Sequence, residues 1–311
     1  VFPGQGAQAV GMGRALFDTV PAARDVFDAV DEALGEKLST VIFEGPAETL
    51  TLTRNTQPAL MATSLAAVRA FEAKAGRRLV DCVDAAAGHS LGEYSALSAM
   101  GALEVGEAAR LLRLRGEAMQ DAVASGEGAM AAVLGLDPEE AAALGAEVEA
   151  LTGGVCELAN DNADGQAVLS GDAASVERAC ALAKEKGAKR AMLLQVSAPF
   201  HCRLMQPAAD RLAEALATTA FKAPGKPVIA NVSVEPVSDP AALARTLTDQ
   251  VTARVRWRET MQHFAAEGTT LIAEFGAGKV LTGLAKRAVP GATLCNIQTP
   301  DDVDALIAAL D

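Results

Sequence analysis

Apolar residues recur along the chain with two kinds of spacing, helical and strand-like, and the two alternate. Helical spacing over 56–75 and 107–122 predicts two long helices, and apolar runs at 1–2 and 80–87 predict buried strands. Strands that alternate with helices build a parallel sheet covered by helices, so the predicted fold class is α/β. The alternation resumes near the end, with strands over 227–232, 270–275 and 293–297 and helices over 207–218, from 241, from 280 and up to 310.

The middle of the chain has a different order of elements. The predicted strands are 128–135, 155–159, 166–170 and 190–196, and the predicted helices are 138–150 and 173–186. That order is βαββαβ, the order of a ferredoxin-like unit. We therefore predict a small subdomain over 126–198, inserted into a large subdomain formed by 1–125 and 199–311. No flexible linker separates them, so a rigid cleft between the two is expected.

Composition and charge exclude several classes of partner. The 311 residues have a formal charge of -13 and no long run of Lys or Arg, which argues against nucleic acid. Five scattered cysteines without a C-x-x-C pair indicate a reduced, cytoplasmic protein. No signal peptide or membrane-spanning apolar run is present, and no Cys/His cluster predicts a metal. Val1 stands without a methionine in a predicted strand, which predicts a few residues upstream.

A serine between two glycines, Gly88-His89-Ser90-Leu91-Gly92, carries the first chemical signal. It follows the predicted strand at 80–87 and precedes a predicted helix. A strand, a G-x-S-x-G turn and a helix in this order form the nucleophile elbow of α/β hydrolases. The pattern also arises by chance in ordinary turns of small residues, but with this context Ser90 is the candidate nucleophile.

Of the three histidines, His201 is the candidate base for Ser90. It stands just beyond a strand end at the predicted subdomain junction, where loops carry function. His89 is expected to pack beneath the elbow, and His263 lies on a predicted surface helix. No Asp or Glu between Ser90 and His201 is marked out as a third triad member, which suggests that something other than a carboxylate orients the histidine.

Arg115 falls on the apolar stripe of the helix predicted over 107–122. A guanidinium on a buried stripe needs an anion. On position alone, a structural role, in which Arg115 snorkels to the surface or pairs with an Asp or Glu, and the binding of a substrate carboxylate are equally well supported.

Two glycine-rich segments resemble phosphate-binding motifs without matching them. The loop over 4–9 resembles an alanine-ended dinucleotide fingerprint, but Asp25 and Asp28, at the distance of a ribose-binding acid, fall in a helical pattern. Gly276-Ala277-Gly278-Lys279 is followed by Val280 where a phosphate loop needs Ser or Thr. Nucleotide binding is therefore disfavoured.

Taken together, five segments resemble the malonyl-CoA:acyl-carrier-protein transacylase family, in register over essentially the whole chain. They are Phe2-Pro3-Gly4-Gln5-Gly6-Ala7-Gln8, Gly88-His89-Ser90-Leu91-Gly92-Glu93-Tyr94-Ser95-Ala96-Leu97, Arg113-Leu114-Arg115-Gly116 with Met119-Gln120, Pro199-Phe200-His201-Cys202 and Gly276-Ala277-Gly278-Lys279-Val280-Leu281. The resemblance implies a hydrolase-like α/β domain with an inserted ferredoxin-like subdomain, which agrees with the pattern of elements.

The resemblance also implies a role for each candidate residue. Ser90 would be the nucleophile and His201 its base, with the backbone amides of Gln5 and Leu91 in the oxyanion hole. Arg115 would hold the malonyl carboxylate. The remaining assignments are Gln250, whose backbone carbonyl would orient His201, and an asparagine pair near the cleft without a stated role, Asn160 and Asn162.

The implied reaction is a ping-pong transfer of malonyl from malonyl-CoA, through malonyl-serine, to the phosphopantetheine thiol of acyl carrier protein. Malonyl-CoA and acyl carrier protein are both substrates, no cofactor is expected, and the resemblance implies a monomer. Phe200 before the histidine suits malonyl, because its ring would crowd an α-methyl group. An acidic carrier protein predicts a basic docking surface including Lys189 and Arg190, or Lys286 and Arg287.

Three alternatives stay open at this point. A serine esterase or thioesterase would share the elbow and the base. An excised acyltransferase domain of a polyketide synthase stays open because, in those related domains, Phe at the position of Phe200 goes with malonyl. A nucleotide-binding scaffold would rest on the loop over 4–9 alone.

Overall fold

A computed structural model gives the structure of residues 1–310. The helices are α1 Arg14–Thr19, α2 Pro21–Leu34, α3 Leu38–Glu44, α4 Ala47–Thr51, α5 Thr53–Ala75, α6 Gly92–Ala99, α7 Val105–Asp121, α8 Pro138–Thr152, α9 Ala173–Glu185, α10 Gln206–Thr218, α11 Pro240–Asp249, α12 Trp257–Ala266, α13 Val280–Ala288 and α14 Pro300–Leu310. The strands are β1 Ala86–Ala87, β2 Gly128–Leu134, β3 Cys156–Ala163, β4 Gln166–Asp172, β5 Arg190–Leu193, β6 Val228–Ile229, β7 Pro236–Val237, β8 Leu271–Phe275 and β9 Thr293–Ile297. The predicted α/β class is confirmed.

Short strands at the centre of the molecule form one layer around the first residues of the chain. Strand β1 pairs parallel with β6, and β8 pairs parallel with β9. Val1 and Phe2 join the two pairs, because the Phe2 N–H donates to Ala87 O at 3.0 Å and Val1 O accepts from Phe275 N–H at 3.0 Å. This layer brings the carboxyl end of β1, and with it Ser90, to one edge.

The layer is smaller and more mixed than the predicted parallel sheet. Strand β7 pairs antiparallel with β6. The strand expected over 80–87 is only Ala86–Ala87, because Leu79–Asp81 form a 3₁₀ turn, and the strand expected over 227–232 is only Val228–Ile229. Apolar runs of this kind predict burial, but only the pairing partners decide how much of a run becomes strand.

The long helix α5 is the centre of the helical layer. Its residues from 55 to 68 are buried throughout, and α2, α7 and α14 all pack against it. It begins at Thr53, one turn before the predicted start, and ends at Gly76 in the left-handed conformation. The packing of α5 against α7 holds Arg115 of α7 close to Gln57 of α5.

The chain between 128 and 193 forms a separate four-stranded sheet in the order β3-β4-β2-β5, with every neighbouring pair antiparallel. Helices α8 and α9 pack on this sheet and share a hydrophobic cluster with it. The βαββαβ order and this strand order are those of a ferredoxin-like unit, as predicted. The exact subdomain boundaries stay a prediction.

Strand β3 is anchored to the segment before α12. Asp161 N–H donates to Val255 O at 2.9 Å, and Val255 N–H donates to Ala159 O at 2.8 Å. The fully buried Asp161 carboxylate also accepts from Arg258 Nε at 2.9 Å. These contacts fix the four-stranded sheet against the central layer, and the candidate site lies where the two meet.

The helices and the cysteines were compared with what a membrane span and a disulfide would require. Across residues 1–310, none of the helices combines the length and the apolar composition that a bilayer crossing needs. All five cysteines are free thiols.

Candidate active site

Ser90 stands on the turn between β1 and α6, with a backbone φ of 52°. A non-glycine residue in this left-handed region is held there by its surroundings. The glycines on either side allow the turn. A Cβ on Gly88 would overlap the backbone of Gly92, and a Cβ on Gly92 would overlap the carbonyl of Phe2.

Asn231, just beyond β6, holds this turn with both ends of its side-chain amide. Its Oδ1 accepts from Ser90 N–H at 2.7 Å, and its Nδ2 donates to Gly88 O at 2.7 Å. One amide group therefore satisfies a backbone donor and a backbone acceptor of the elbow, which stabilises the φ of Ser90.

His201 lies against Ser90 and also has a positive φ, 60°. Its Nε2 is 2.8 Å from Ser90 Oγ, and its Nδ1 is 2.9 Å from Gln250 O. A carbonyl only accepts hydrogen bonds, so Nδ1 carries the hydrogen and Nε2 is free to accept the serine proton. A backbone carbonyl thus takes the place that an acid occupies in a Ser-His-Asp triad.

Burial, and after it the Arg115 cation, lower the pKa of His201 to about 3. The imidazole is therefore neutral at any moderate pH, which is the state that a general base needs.

Arg115 on α7 reaches the same point. Its side chain is 2% exposed. Nη1 donates to Gln57 Oε1 at 2.8 Å, and Nη2 donates to Gln250 Oε1 at 2.9 Å and to Ser90 Oγ at 3.1 Å. Nε is buried without a partner. Within residues 1–310, no carboxylate is within ion-pair distance of this guanidinium, so an anion beside Ser90 would find unused positive charge.

Gln250 ties these groups together through its backbone and its side chain. Besides its carbonyl bond to His201, its Nε2 donates to Ser90 O at 3.0 Å and to Glu93 Oε2 at 2.7 Å. Burial raises the pKa of the Glu93 carboxyl to about 7, although hydrogen bonds from Gln250 and Asn231 and the charge of Arg115 lower it.

A pocket of about 330 Å³ opens in front of Ser90, His201 and Arg115. Gln5 and Leu91 lie on its wall, and in the described part of the chain neither backbone N–H has an acceptor. Its other lining residues are mostly apolar or amide side chains and include Gln57, Met119, Met130, Asn160, Leu194, Val196 and Phe200. A site of this kind can activate a serine, receive an anion beside it and exclude much of the water.

The predicted site residues therefore converge on one place. Ser90, His201, Arg115 and Gln250 form one hydrogen-bonded group, and the amides of Gln5 and Leu91 lie beside it. Asn160 lines the pocket, and Asn162 Oδ1 lies 2.9 Å from Nε2 of His89. His89 is half-buried and itself lines the pocket, whereas the sequence placed it packed beneath the elbow. The catalytic roles stay predictions.

Sequence reasoning missed Gln57, Glu93 and Asn231. Asn231 follows the apolar pair of β6, so a polar residue at the carboxyl end of a parallel strand was an available signal. Glu93 sits among buried residues of α6, where a carboxylate is unusual. Gln57 has no distinguishing pattern, because its role comes from the packing of α5 on α7.

The disfavoured motifs are accounted for structurally. Asp25 and Asp28 lie in α2, not at a strand end. At the GAGK segment, the amides of Leu281 and Thr282 donate to the buried Glu274 carboxylate, so the start of α13 already holds an anion of the chain itself. In the part of the chain that the structure describes, no cluster of His, Cys, Asp and Glu side chains is arranged to hold a metal ion.

The sequence profile of the family described as "Acyl transferase domain" matches residues 1–295. The chain belongs to this acyl transferase family. A relative from Bacillus subtilis, named malonyl CoA-acyl carrier protein transacylase, is 46% identical over 100% of this chain and 96% of its own length. The family predicted from the five sequence segments is confirmed.

Solved structures of transacylases have the same fold as this acyl transferase. The acyl-carrier-protein S-malonyltransferase of Bartonella henselae superimposes with a TM-score of 0.96 at 52% identity, over 99% of this chain and 98% of the other. A malonyl transacylase solved with its type II polyketide synthase acyl-carrier protein superimposes with a TM-score of 0.94 at 39% identity, over 99% and 98%.

Proposed function

We propose that this acyl transferase moves a malonyl group from malonyl-CoA to the phosphopantetheine thiol of an acyl carrier protein. The observation that carries the proposal is the contact of the Arg115 guanidinium, which is paired directly with no carboxylate among residues 1–310, with Ser90 Oγ at 3.1 Å. An acyl group attached to Ser90 and ending in a carboxylate would be held by that guanidinium. Additional support comes from the names of the full-length relatives.

In the first half-reaction, Ser90 Oγ attacks the thioester carbonyl carbon and its proton passes to His201 Nε2. The tetrahedral oxyanion lies against the amides of Gln5 and Leu91, where one donor is typically worth about 10²–10³ in rate. Collapse breaks the carbon–sulfur bond, and CoA leaves as its thiol after taking the proton from His201. Malonyl-Ser90 remains in the pocket.

In the second half-reaction, the thiol of the carrier protein enters the same pocket. His201 accepts the thiol proton, the sulfur attacks the acyl carbonyl, and Ser90 leaves with that proton restored. The Gln250 carbonyl keeps His201 in the correct tautomer through both halves. Water would give hydrolysis instead of transfer, so the apolar lining, with Met119, Met130 and Phe200, protects the intermediate.

We infer that the reaction serves fatty acid synthesis in the cytoplasm. The Bacillus relative is covered over 96% of its length, which leaves no room there for the further domains of a multidomain polyketide synthase. The competing proposal is the stand-alone transacylase of a type II polyketide synthase. Five free thiols suit a reducing compartment.

We also propose that residues 126–198 form an inserted subdomain. The hydrophobic cluster that its strands and helices share supports this proposal.

Intact-mass measurement after mixing the protein with malonyl-CoA alone tests this function. We expect a malonyl adduct on the wild type and on the matched variant Ser125→Ala, whose serine is exposed, and none on Ser90→Ala. A stable adduct that only carrier protein thiol discharges indicates a transferase. Rapid release of free malonate without a thiol would contradict the proposal and indicate a thioesterase.

A further inference from the structure

Two buried groups that can carry opposite charges lie close to the nucleophile without forming an ion pair. Arg115 and Glu93 are each 2% exposed. No salt bridge joins either of them to another residue in the part of the chain from 1 to 310. An isolated buried charge is costly, so each should be compensated by something nearby.

The side-chain amide of Gln250 lies between the two. Its Oε1 accepts from Arg115 Nη2 at 2.9 Å, and its Nε2 donates to Glu93 Oε2 at 2.7 Å. Asn231 N–H donates to the same carboxylate oxygen at 3.1 Å. The orientation of the amide is fixed, because only its oxygen can face the guanidinium and only its nitrogen can face an acceptor on Glu93.

This arrangement keeps the charges coupled while leaving the guanidinium open on its pocket side. At low local dielectric, charges separated by one amide still interact appreciably. Glu93 raises the pKa of Arg115, and Arg115 lowers the pKa of Glu93, each against the larger effect of burial. A carboxylate in direct contact with Arg115 would instead occupy the place that a substrate anion needs.

We propose that Glu93 is the built-in counter-charge of Arg115 and that its charge sets how strongly the site prefers an acyl group ending in a carboxylate. This inference rests on the proposed role of Arg115. Glu93 is a positioning residue, since it acts through Gln250 and Arg115 and is absent from the pocket wall. When Glu93 is ionised, Arg115 is partly compensated and holds the malonyl carboxylate less tightly.

Because Glu93 can gain or lose a proton, the binding of a substrate carboxylate by Arg115 should depend on pH. The pKa of Glu93 is about 7, whereas the other ionisable groups around this network stay in one form near neutral pH. Burial lowers the pKa of His201 and of His89 and raises that of Tyr94, and Arg115 stays cationic. Protonation of Glu93 should therefore strengthen the binding of an acyl carboxylate by Arg115. By linkage, a bound carboxylate should increase the affinity of Glu93 for its proton.

The test is the ratio of kcat/KM for malonyl-CoA to kcat/KM for acetyl-CoA, measured as adduct formation on Ser90. Both thioesters carry the same CoA phosphates, so their ionisation cancels in the ratio. In Glu93→Gln the side-chain oxygen still accepts from Asn231 and Gln250, and only the charge is lost. We expect the ratio to rise about fivefold or more at alkaline pH, the lower end of typical coupling between sites.

Glu274→Gln is the matched control, because Glu274 is another buried carboxylate, bound at the start of α13 and not to this network. In Glu274→Gln, the ratio of kcat/KM for malonyl-CoA to kcat/KM for acetyl-CoA should equal that of the wild type. An unchanged or lower ratio in Glu93→Gln would overturn the inference. If Arg115→Ala retains the preference for malonyl, the proposed function of Arg115 fails; if Arg115→Ala loses it and Glu93→Gln is unchanged, only this inference fails.

The wild type gives a second readout that does not depend on the folding of a variant. Its ratio should fall from about pH 6 to about pH 8, as Glu93 ionises in the free enzyme. A thermal melt of Glu93→Gln checks its folding, and a folded variant should show a high ratio without this pH dependence. A flat wild-type profile would contradict the proposed counter-charge.

Discussion

At the scale of single residues, the site depends on side chains held in unusual backbone conformations. Ser90 and His201 both have positive φ, and their side chains meet at 2.8 Å. Such conformations persist only where surrounding contacts hold them. For Ser90 those contacts come from Asn231, and the His201 ring is bonded to the Gln250 carbonyl. Preorganisation of the pair is thus supplied by residues that take no part in bond making.

Replacement of Arg115 by alanine should separate substrate recognition from chemistry. We expect a loss of about 2–5 kcal/mol in transition-state stabilisation with malonyl-CoA, typical of removing one partner of a buried charge pair, and a much smaller loss with acetyl-CoA. Steady-state kinetics on both thioesters measures the difference. Arg113→Ala is the control, since Arg113 pairs with Glu36 and Asn55 and not with the pocket. Equal losses on both substrates would make Arg115 structural.

Acylation of Ser90 by malonyl-CoA should not slow when the pH falls from about 7 to about 5. An ordinary histidine base is lost as pH falls through about 6.5, but His201, with a pKa of about 3, stays neutral. Rapid-quench trapping of the adduct measures the rate. A rate that falls on the acid side with a midpoint near pH 6.5 would contradict the pKa of about 3.

The lowered pKa of His201 also affects stability. Below about pH 6.5 the histidine of the unfolded chain binds a proton, whereas that of the folded chain stays neutral down to about pH 3. The contribution of His201 to the free energy of unfolding should therefore decrease as the pH falls towards 3.

At the scale of elements, the elbow is set by the close approach of β1, α6 and the first residues of the chain. His89 N–H donates to Phe2 O at 3.0 Å, and Gly92 N–H donates to His89 O at 2.9 Å. Three backbone segments meet with no room for a Cβ at Gly88 or Gly92. The sequence pattern identified the turn, and the packing explains why those two positions require glycine.

Gly88→Ala should destabilise the protein by more than about 3 kcal/mol, because the added Cβ meets backbone that cannot rotate away. Gly283→Ala is the matched control. It lies in α13 with open space around its Cβ position, so the same substitution should stabilise by about 0.5–1 kcal/mol through helix propensity. Urea unfolding followed by circular dichroism compares the two. Similar effects at both positions would rule out steric exclusion at the elbow.

At the scale of the whole molecule, the pocket depends on how the four-stranded sheet sits against the central layer. One wall carries Met130 of β2 and Asn160 of β3, and the other carries Ser90 and Leu91. The chain crosses between them at the segment that ends in His201. The bonds of Asp161 to Val255 and Arg258 hold the two parts together, so they help to set the width of the pocket.

Asp161→Ala should cost about 3–5 kcal/mol of stability, because it leaves a largely buried Arg258 without its main partner. It should also raise KM for malonyl-CoA by loosening the pocket. Asp18→Ala is the control: its ion pair with Arg14 is about half exposed, so we expect a change of about 0–1 kcal/mol. Denaturant unfolding and kinetics test both. A loss no larger than the control would show that the pair contributes little.

The sequence by itself determined the α/β class, the βαββαβ unit and the family. Periodicity and glycine spacing are local, and five motifs in order cannot arise from one chance match. Local signals also identified three candidate residues. Ser90 stands between glycines in a strand-to-helix turn, His201 lies just beyond a strand end, and Arg115 lies on the apolar stripe of a helix. For Arg115 the pattern left two partners possible.

Only the tertiary structure decided which groups complete the site. It shows no carboxylate paired with Arg115 among residues 1–310, and it brings Gln57, Asn231 and Glu93 beside the nucleophile from separate elements. Strand lengths were also decided there, because β1 and β6 are limited by their pairing partners. The physical reason is common to these cases: hydrogen-bond partners and buried charges are set by contacts between elements far apart in the chain, which spacing along the sequence does not encode.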